Sequence, residues 1–189
     1  IGEWVLRQAC VDAMNWSDEN QTPPGVSVNL SYRQFQRQSI PELVKSILLE
    51  TGLPAGRLTL EITESLLVAD DETTLKQLHQ LRELGVGLSI DDFGTGYSSL
   101  SYLKKFPITT LKIDRSFIMD LLSDSGDKAL VKGIVSMAEN LGLAVVAEGV
   151  ETKEQASFLQ SIDCQYIQGF YYSKPIPQAE LLSFASSAR

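Results

Sequence analysis

The feature that most constrains this chain is a series of six short strand-like segments, most of them separated by helix-like ones. The strand-like segments lie at residues 26–31, 58–63, 88–93, 110–114, 144–150 and 165–170. Strands that alternate with helices usually pair in parallel, because each helix carries the chain back to the starting edge of the sheet. The sequence therefore predicts an α/β fold with a parallel sheet.

Two of the intervening segments carry clear helical patterns. Residues 72–85 end at Gly85 and contain an apolar stripe of Leu75, Leu78, Leu81 and Leu84. Residues 127–142 end at Gly142, and their predicted buried side chains are Leu130, Ile134, Val135, Met137 and Ala138. Both segments are therefore predicted to be helices that pack one face on the sheet.

Four strands share a second pattern, in which apolar residues alternate with polar ones. The polar residues are Asn29, Glu61, Asp91 and Lys112, and two positions earlier on the same face stand Ser27, Thr59, Ser89 and Thr110. Successive side chains of a strand point to opposite faces of the sheet. Each of these strands therefore has one apolar face and one face of small polar residues that ends in a functional group.

This alternation separates two kinds of parallel sheet. A doubly wound sheet is covered by helices on both faces, so its strands are almost continuously apolar. In a (β/α)₈ barrel only the outer face meets helices, and active sites lie at the carboxyl ends of the strands. We therefore predict a TIM-like (β/α)₈ barrel of which about six βα units are present. The chain opens inside an amphipathic pattern with Trp4, Val5, Cys10 and Val11, so we expect further strands upstream.

Composition narrows the partners that such a domain could have. The formal net charge of −8 argues against DNA or an anionic membrane as a partner of this segment, since both attract basic patches. No run approaches the ~20 apolar residues of a membrane span, and no signal-peptide pattern is present. Cys10 and Cys164 are the only cysteines and are predicted to be buried thiols. We expect a cytoplasmic location, including the cytoplasmic part of a membrane-anchored protein.

Polar side chains collect at the predicted carboxyl ends of the strands: Asn29, Glu61, Asp91, Asp92, Lys112, Glu148 and Gln168. Oxygen ligands of this kind suit Mg²⁺ or Mn²⁺, whereas zinc prefers histidine and cysteine. The only histidine, His79, lies beside the leucine stripe and is predicted to be exposed. The sequence therefore predicts a site for a hard divalent cation.

Asp91 and Asp92 are adjacent on one strand, so they would point to opposite faces unless the alternation fails there. The Phe-Gly-Thr-Gly that follows would end the strand, since Gly94 and Gly96 permit sharp turns. Two metal ions ~3.5–4 Å apart could then share Asp91, with Asp92 as a terminal ligand. The alternative is a pair of acids tolerated at a solvated strand end, and the ligand-type residues on the other strands favour the metal.

An Asp-Phe-Gly also occurs in protein kinases, but their glycine-rich loop and His-Arg-Asp motif are missing.

The other candidates each have an alternative. Lys112 is on the inward face, where an ammonium can hold a water or neutralise phosphoryl charge, although a lone lysine is usually a surface residue. Glu148 is either a ligand or the cap of a strand end. Gln168 is either a site residue or a hydrogen-bonding strand residue. Glu64 and Glu151 could brace loops, but each taken singly is better interpreted as a solvated acid.

Six motifs occur in the order and spacing of the EAL domains of bacteria, and the sequence resembles that family up to about Pro177. The motifs are VNLS, LEITES, IDDFGTGYSSLSYL, LKIDRSFI, VAEGVET and QGFYYSKPIP. The resemblance implies a (β/α)₈ barrel that hydrolyses cyclic di-GMP to linear pGpG, with two Mg²⁺ or Mn²⁺ ions in the complete domain.

The resemblance also implies roles for individual residues. Implied metal ligands are Asn29, Glu61, Asp91, Asp92 and Glu148. Lys112, Glu148 and Gln168 would be catalytic, with Lys112 positioning the water that attacks one phosphodiester in line while a 3′ oxygen leaves. The loop after Asp-Asp-Phe-Gly, which this family uses for dimerisation and activity, would be anchored through Glu64, Gly94, Gly96 and Glu151. A homodimer is therefore expected.

The chain departs from the family pattern in two respects. The Glu-Ala-Leu tripeptide and a nearby substrate-binding arginine are absent, and by family layout they belong upstream of Ile1. We therefore expect residues 1–189 to be the C-terminal three-quarters of the domain, inactive alone and preceded by sensor or GGDEF-type domains. Asp163 and Gln165 stand where the family usually has glycine and aspartate, and we infer no loss of activity from them. The alternative function is an inactive cyclic di-GMP receptor.

Overall fold

The computed structural model describes residues 1–16, 23–64, 66, 71–96 and 100–187. Ser65 and residues 97–99, which belong to two of the motifs, lie outside the described residues. The strands are β1 Val26–Leu30, β2 Leu58–Thr63, β3 Gly87–Phe93, β4 Thr110–Ile113, β5 Ala144–Ala147 and β6 Tyr166–Ile167.

Helices precede, separate and follow these strands. They are α1 Gly2–Met14, α2 Tyr32–Arg37, α3 Ile40–Thr51, α4 Glu72–Glu83, α5 Leu100–Lys105, α6 Arg115–Met119, α7 Ser125–Asn140, α8 Lys153–Gln160 and α9 Gln178–Ser187, with a 3₁₀ turn at Ala55–Arg57. Among the helices of the described residues, none is long and apolar enough to cross a membrane.

The six strands form one sheet in the sequential order β1-β2-β3-β4-β5-β6, and every neighbouring pair is parallel. A doubly wound sheet reverses its strand order at a switch point, whereas a barrel wall adds each strand beside the previous one. The observed order is therefore that of a barrel wall, as the alternation of polar and apolar residues predicted.

The two faces of the sheet differ as predicted. The apolar residues of the outer face are buried against the helices: Val28, Leu30, Leu60, Ile62, Leu88, Ile90, Leu111, Ile113, Val145 and Ala147. Full burial of one large aliphatic side chain contributes about 1.5–3 kcal/mol, so this face supplies much of the stability of the fold. The opposite face lines a cleft of about 490 Å³. Its residues there include Ser27, Thr59, Glu61, Ser89, Thr110 and Lys112.

β5 and β6 are shorter than predicted and end at Ala147 and Ile167. Glu148 and Gln168 therefore lie just beyond the strands. Their backbones still continue the hydrogen bonding of the sheet, since the Glu148 N–H donates to the Ile113 carbonyl at 3.2 Å and the Gln168 N–H donates to the Ala147 carbonyl at 2.8 Å. The two side chains thus remain at the carboxyl end of the sheet.

The predicted helical stripes are confirmed for α4 and wrong by one position in α7. In α4, Leu78 and Leu81 are buried, whereas His79 is exposed. In α7 the buried residues are Val131, Ile134, Val135 and Ala138, at positions i, i+3, i+4 and i+7 of one face. Leu130, predicted to be inside, is 42% exposed because the buried face begins at Val131.

α1 packs on α3 and β1 through only part of its apolar surface. Leu6, Cys10 and Ala13 are buried, while Trp4 and Val11 are 65% and 42% exposed. Cys10 and Cys164 are both buried and free, as predicted.

Candidate metal centre

Lys112 lies at the centre of an acidic cluster at the carboxyl ends of the strands. Its Nζ is 2.8 Å from Glu61 Oε2, 2.9 Å from Asp91 Oδ1 and 2.7 Å from Glu148 Oε1. These partners come from β2, β3 and the end of β5, and Lys112 itself is only 6% exposed. One ammonium therefore joins three neighbouring parts of the barrel wall.

The protonation of Lys112 is governed by two opposing effects. Burial acts to lower the pKa of Lys112, but hydrogen bonds to Glu148, Glu61 and Asp91 outweigh it, and the net pKa is raised. For Glu148, burial raises the pKa and the hydrogen bond to Lys112 lowers it, and the net pKa is raised. Lys112 thus remains a cation at neutral pH and fixes the carboxylates around it.

Asp92 joins the cluster through an irregularity in β3. The backbone of Asp92 has φ 55°, in the left-handed region, and the register between β3 and β4 shifts between Ile90 and Phe93. Aspartate tolerates this conformation better than most residues. As predicted, β3 ends at Phe93, directly before Gly94, and the alternation fails at Asp92. The break lies at Asp92 itself.

Asp91, Asp92 and Glu148 bring their carboxylates together. One oxygen from each lies within 4.8 Å of the others. Burial, the charge of Asp91 and the charge of Asp114 raise the pKa of Asp92. With Glu61, the cluster sets four carboxylates against the single ammonium of Lys112. The cluster therefore has more negative than positive charge, and its ligand atoms are oxygens, which is the environment that a hard divalent cation prefers.

Asn29 and Gln168 lie at the two edges of the cluster. Asn29 is the register partner of Glu61 on β1, and its side chain is exposed. Gln168 is also exposed, while its backbone carbonyl accepts from the Val150 N–H at 3.1 Å. The structure therefore places Gln168 in the lining of the same cleft as Glu61 and Lys112, and Asn29 beside Glu61 on the neighbouring strand.

Glu64 contacts the loop that follows β3. It is only 4% exposed, and its Oε2 accepts from the Gly94 N–H at 3.1 Å. A Cβ at Gly96 would lie 2.6 Å from Glu64 Oε1. The interpretation of Glu64 as a solvated acid is therefore wrong, because the loop folds over it. Glu151, by contrast, is exposed.

Gln155 is a residue of this region that the sequence analysis missed. It is 6% exposed, and its Oε1 accepts from the backbone N–H groups of Glu151 at 2.9 Å and Thr152 at 3.0 Å. Its Nε2 donates to the Ile118 carbonyl at 2.8 Å. The sequence signal was a capping box, with Thr152 as N-cap and Gln155 three residues later.

The strand order and the cluster together define a class: a (β/α)₈-type barrel protein with an acidic cluster that could hold a metal ion at the carboxyl ends of its strands. Comparison with known proteins agrees. The chain belongs to the EAL domain family, which matches residues 1–175.

The chain is similar to the bifunctional diguanylate cyclase/cyclic di-GMP phosphodiesterase MucR of Pseudomonas aeruginosa. The two are 46% identical over 183 residues, which is 97% of this chain and 27% of MucR. The chain spans about a quarter of the length of three curated relatives that it matches, MucR among them.

Two solved structures confirm the barrel fold. The MucR phosphodiesterase in complex with c-di-GMP is 46% identical, with a TM-score of 0.90 over 96% of this chain and 73% of that one. BlrP1 of Klebsiella pneumoniae in a manganese and c-di-GMP complex is 32% identical, with a TM-score of 0.83 over 94% of this chain and 45% of that one. The predicted α/β barrel, incomplete in this chain, therefore agrees with both.

Proposed function

We propose that this chain forms the catalytic face of a metal-dependent phosphodiesterase that hydrolyses cyclic di-GMP to linear pGpG in bacterial signalling. The observation that carries the proposal is the buried Lys112 ammonium held by Glu61, Asp91 and Glu148 at the carboxyl ends of the strands. MucR, at 46% identity, is named a cyclic di-GMP phosphodiesterase, and this supports the substrate.

The proposed cofactors are two Mg²⁺ or Mn²⁺ ions. The residues that would hold them are Asn29, Glu61, Asp91, Asp92 and Glu148, of which Asp91, Asp92 and Glu148 already have carboxylate oxygens close together. When bound, such ions supply Lewis-acid stabilisation of the charge on a phosphoryl group. The manganese complex of BlrP1 supports this choice of metal.

The residues of the chain itself would orient the reactants. The Lys112 ammonium has three N–H donors, and its position beside Asp91 and Glu148 would let it hold the attacking water and face developing phosphoryl charge. Gln168, on the rim of the same cleft, would donate its side-chain amide to the water or the phosphate. Water would attack one phosphorus in line, and the bond to the 3′ oxygen would break.

The chain would be the C-terminal three-quarters of its domain. The described residues form six parallel strands, a (β/α)₈ barrel has eight, and the chain covers 73% of the MucR phosphodiesterase chain. The two remaining βα units, with the Glu-Ala-Leu glutamate, and sensor or GGDEF-type domains would lie upstream, as the bifunctional name of MucR suggests. The domain would work in the cytoplasm, where Cys10 and Cys164 stay reduced.

The proposal includes a homodimer beside the loop after β3. An apolar cleft of about 410 Å³ lies there, between Phe93, Gly94 and Gly96 on one side and Leu130 and Met137 of α7 on the other. A partner subunit would cover Leu130, which is otherwise 42% exposed. Light scattering of a Leu130→Glu variant tests this contact, and a dimer that persists unchanged would contradict it.

Turnover by the complete domain tests the function. Purified protein is incubated with cyclic di-GMP and Mn²⁺ or Mg²⁺, and pGpG is quantified by chromatography. We expect pGpG only when metal is present, and about a 10²–10³-fold lower rate for Asp91→Asn. The matched control is Asp120→Asn, because Asp120 is exposed at the end of α6. Absence of pGpG with either metal would contradict the proposal, and tight binding without hydrolysis would support the receptor alternative.

A further inference from the structure

The loop that follows β5 carries Glu148 at its first position. It comprises residues 148–152, and we call it the Glu148 loop. The Glu148 N–H donates to the carbonyl of Ile113, at the end of β4, at 3.2 Å. The Val150 N–H donates to the carbonyl of Gln168, just beyond β6, at 3.1 Å. The first half of the loop is therefore tied to both neighbouring strands.

A buried side chain, that of Gln155, holds the second half of the Glu148 loop. Gln155 lies on α8, and its Oε1 accepts from the N–H groups of Glu151 at 2.9 Å and Thr152 at 3.0 Å. Its Nε2 donates to the Ile118 carbonyl of α6 at 2.8 Å. Gln155 therefore links the loop that follows β5 to the helix that follows β4.

These bonds exceed what the capping of a helix requires. In a capping box the side chain at the third helical position accepts only from the N–H of the N-cap residue, which is Thr152 here. Gln155 makes that bond, accepts a second from the Glu151 N–H and donates a third to the Ile118 carbonyl. A buried amide that bonds to the backbones of two elements fixes the distance between them.

The two segments that Gln155 joins adjoin two residues of the metal centre. Glu148 begins the loop, and Lys112 lies on β4, shortly before α6. The Lys112 Nζ is 2.7 Å from Glu148 Oε1. An oxygen of Glu148 also lies within 4.8 Å of one from each of Asp91 and Asp92. A change in the distance between the Glu148 loop and α6 would therefore move Glu148 relative to its partners.

We infer that Gln155 is a positioning residue, which holds the Glu148 loop at the distance from α6 at which Glu148 meets Lys112 and the bound ions. This inference rests on the proposed function. Gln155 itself touches neither metal nor substrate, because it is buried and its amide bonds to backbone groups. Loss of a group that supports a metal ligand typically weakens metal binding about 10- to 100-fold. Since Gln155 acts through the backbone, we expect the lower end of this range.

Gln77 provides a matched control, because it makes bonds of the same kind in another part of the barrel wall. It is also buried, its Oε1 accepts from the Ile40 N–H at 2.9 Å, and its Nε2 donates to the Phe35 carbonyl at 3.2 Å. Its partners lie on α2 and α3, which carry none of the proposed metal ligands or catalytic residues. Loss of either glutamine leaves backbone groups without partners and should lower stability. Only loss of Gln155 should also change metal binding.

Calorimetric titration of the complete domain with Mn²⁺ tests the inference. Wild type, Gln155→Met and Gln77→Met are compared, since methionine keeps the length of glutamine and removes its hydrogen-bonding amide. We expect Gln155→Met to raise the Kd for Mn²⁺ about 10-fold and Gln77→Met to leave it unchanged. Urea unfolding in the presence of a chelator should show a similar destabilisation of both variants. Saturating Mn²⁺ should largely restore the turnover of cyclic di-GMP by Gln155→Met.

Two results would overturn the inference. One is the same Kd for Mn²⁺ in Gln155→Met and wild type, and the other is an equal rise in Gln77→Met, since either would make Gln155 a packing residue only. If Gln155→Met does not fold, Gln155→Asn replaces it. Asparagine is one methylene shorter and cannot reach both the loop and α6, so its Kd should also rise. An unchanged Kd in Gln155→Asn would contradict the inference.

The same titration separates this inference from the proposed function. If wild type binds Mn²⁺ but produces no pGpG, the proposed function fails, and the comparison of Kd values still tests Gln155. If wild type binds no Mn²⁺, the positioning role of Gln155 fails together with the proposed metal site.

Discussion

The centre and the edges of the proposed metal site are built differently. At the centre, Glu61 and Lys112 are almost fully buried, and Lys112 bonds to three carboxylates. At the edges, Asn29 and Gln168 are exposed. Burying charges is expensive unless they are paired, so the central geometry must be fixed by the fold before any ligand binds. The difference teaches that the centre is part of the folded core, whereas the exposed edges are free to contact ligands, as the proposed function requires.

Of all the changes considered, removal of Lys112 should reduce stability and turnover most. Lys112→Met leaves three carboxylates near each other in a partly buried site, and we expect the free energy of unfolding to fall by about 3–5 kcal/mol in the presence of a chelator. Turnover with Mn²⁺ should fall about 10²–10³-fold. Urea denaturation and pGpG assays measure the two effects.

The control for this variant is Lys45→Met, because Lys45 is exposed on α3. It should leave both stability and turnover near wild type. A Lys112→Met protein as stable as Lys45→Met would show that the centre is not part of the folded core.

The backbone at the edge of the site should be nearly as sensitive as the centre. A Cβ at Gly169 would collide with the backbone of Val150, so Gly169→Ala should destabilise the protein by about 3 kcal/mol. Gly133, in the middle of α7, has open space, and Gly133→Ala should stabilise by about 0.5–1 kcal/mol. Thermal unfolding compares the two variants. Equal effects of both would mean that the chain near Gln168 is not tightly packed.

Removal of an edge side chain should weaken metal binding without unfolding the protein. For Asn29→Ala we expect a change in unfolding free energy within about 0.5 kcal/mol, because the side chain is exposed. The Mn²⁺ concentration that gives half-maximal turnover should rise about 10- to 100-fold, an effect of the size seen when a metal site loses a supporting group. A large loss of stability, or an unchanged Mn²⁺ requirement, would contradict the assignment of Asn29 to the metal-binding edge of the site.

The smallest expected effect lies away from the site. Asp163 has φ 58°, a conformation that glycine adopts without strain, and it follows the end of α8. Asp163→Gly should therefore stabilise the protein by about 0.5–1 kcal/mol and leave turnover unchanged. Asp163→Asn should be close to neutral. A destabilised glycine variant would mean that a contact of the Asp163 side chain stabilises the protein by more than the left-handed backbone of Asp163 destabilises it.

The sequence predicted the site best where a strand is regular. In β2 and β4 the alternation of Leu60, Glu61 and Ile62, or of Leu111, Lys112 and Ile113, assigns each side chain to one face, and the structure agrees. These residues follow a local rule, since a period of two holds for any extended backbone.

The sequence predicted less where a long-range contact or an irregular backbone determines the position of a side chain. Asp92 reaches the cluster through a left-handed residue inside β3, which a period of two cannot show. Glu64 is buried because the loop at Gly94 returns over it from 30 residues away. Gln155 joins α8 to the Ile118 carbonyl, 37 residues away, although its capping box was visible in the sequence. Such partners depend on the closed fold and not on local pattern.

The most direct test of the account is a calorimetric titration of the complete domain with Mn²⁺, because everything proposed for the site depends on a metal at the strand ends. We predict saturable binding of two ions by wild type, strong loss of binding in Asp91→Asn, and wild-type binding in Asp120→Asn. Absence of saturable binding in wild type, or equal binding by Asp91→Asn and wild type, would contradict the account.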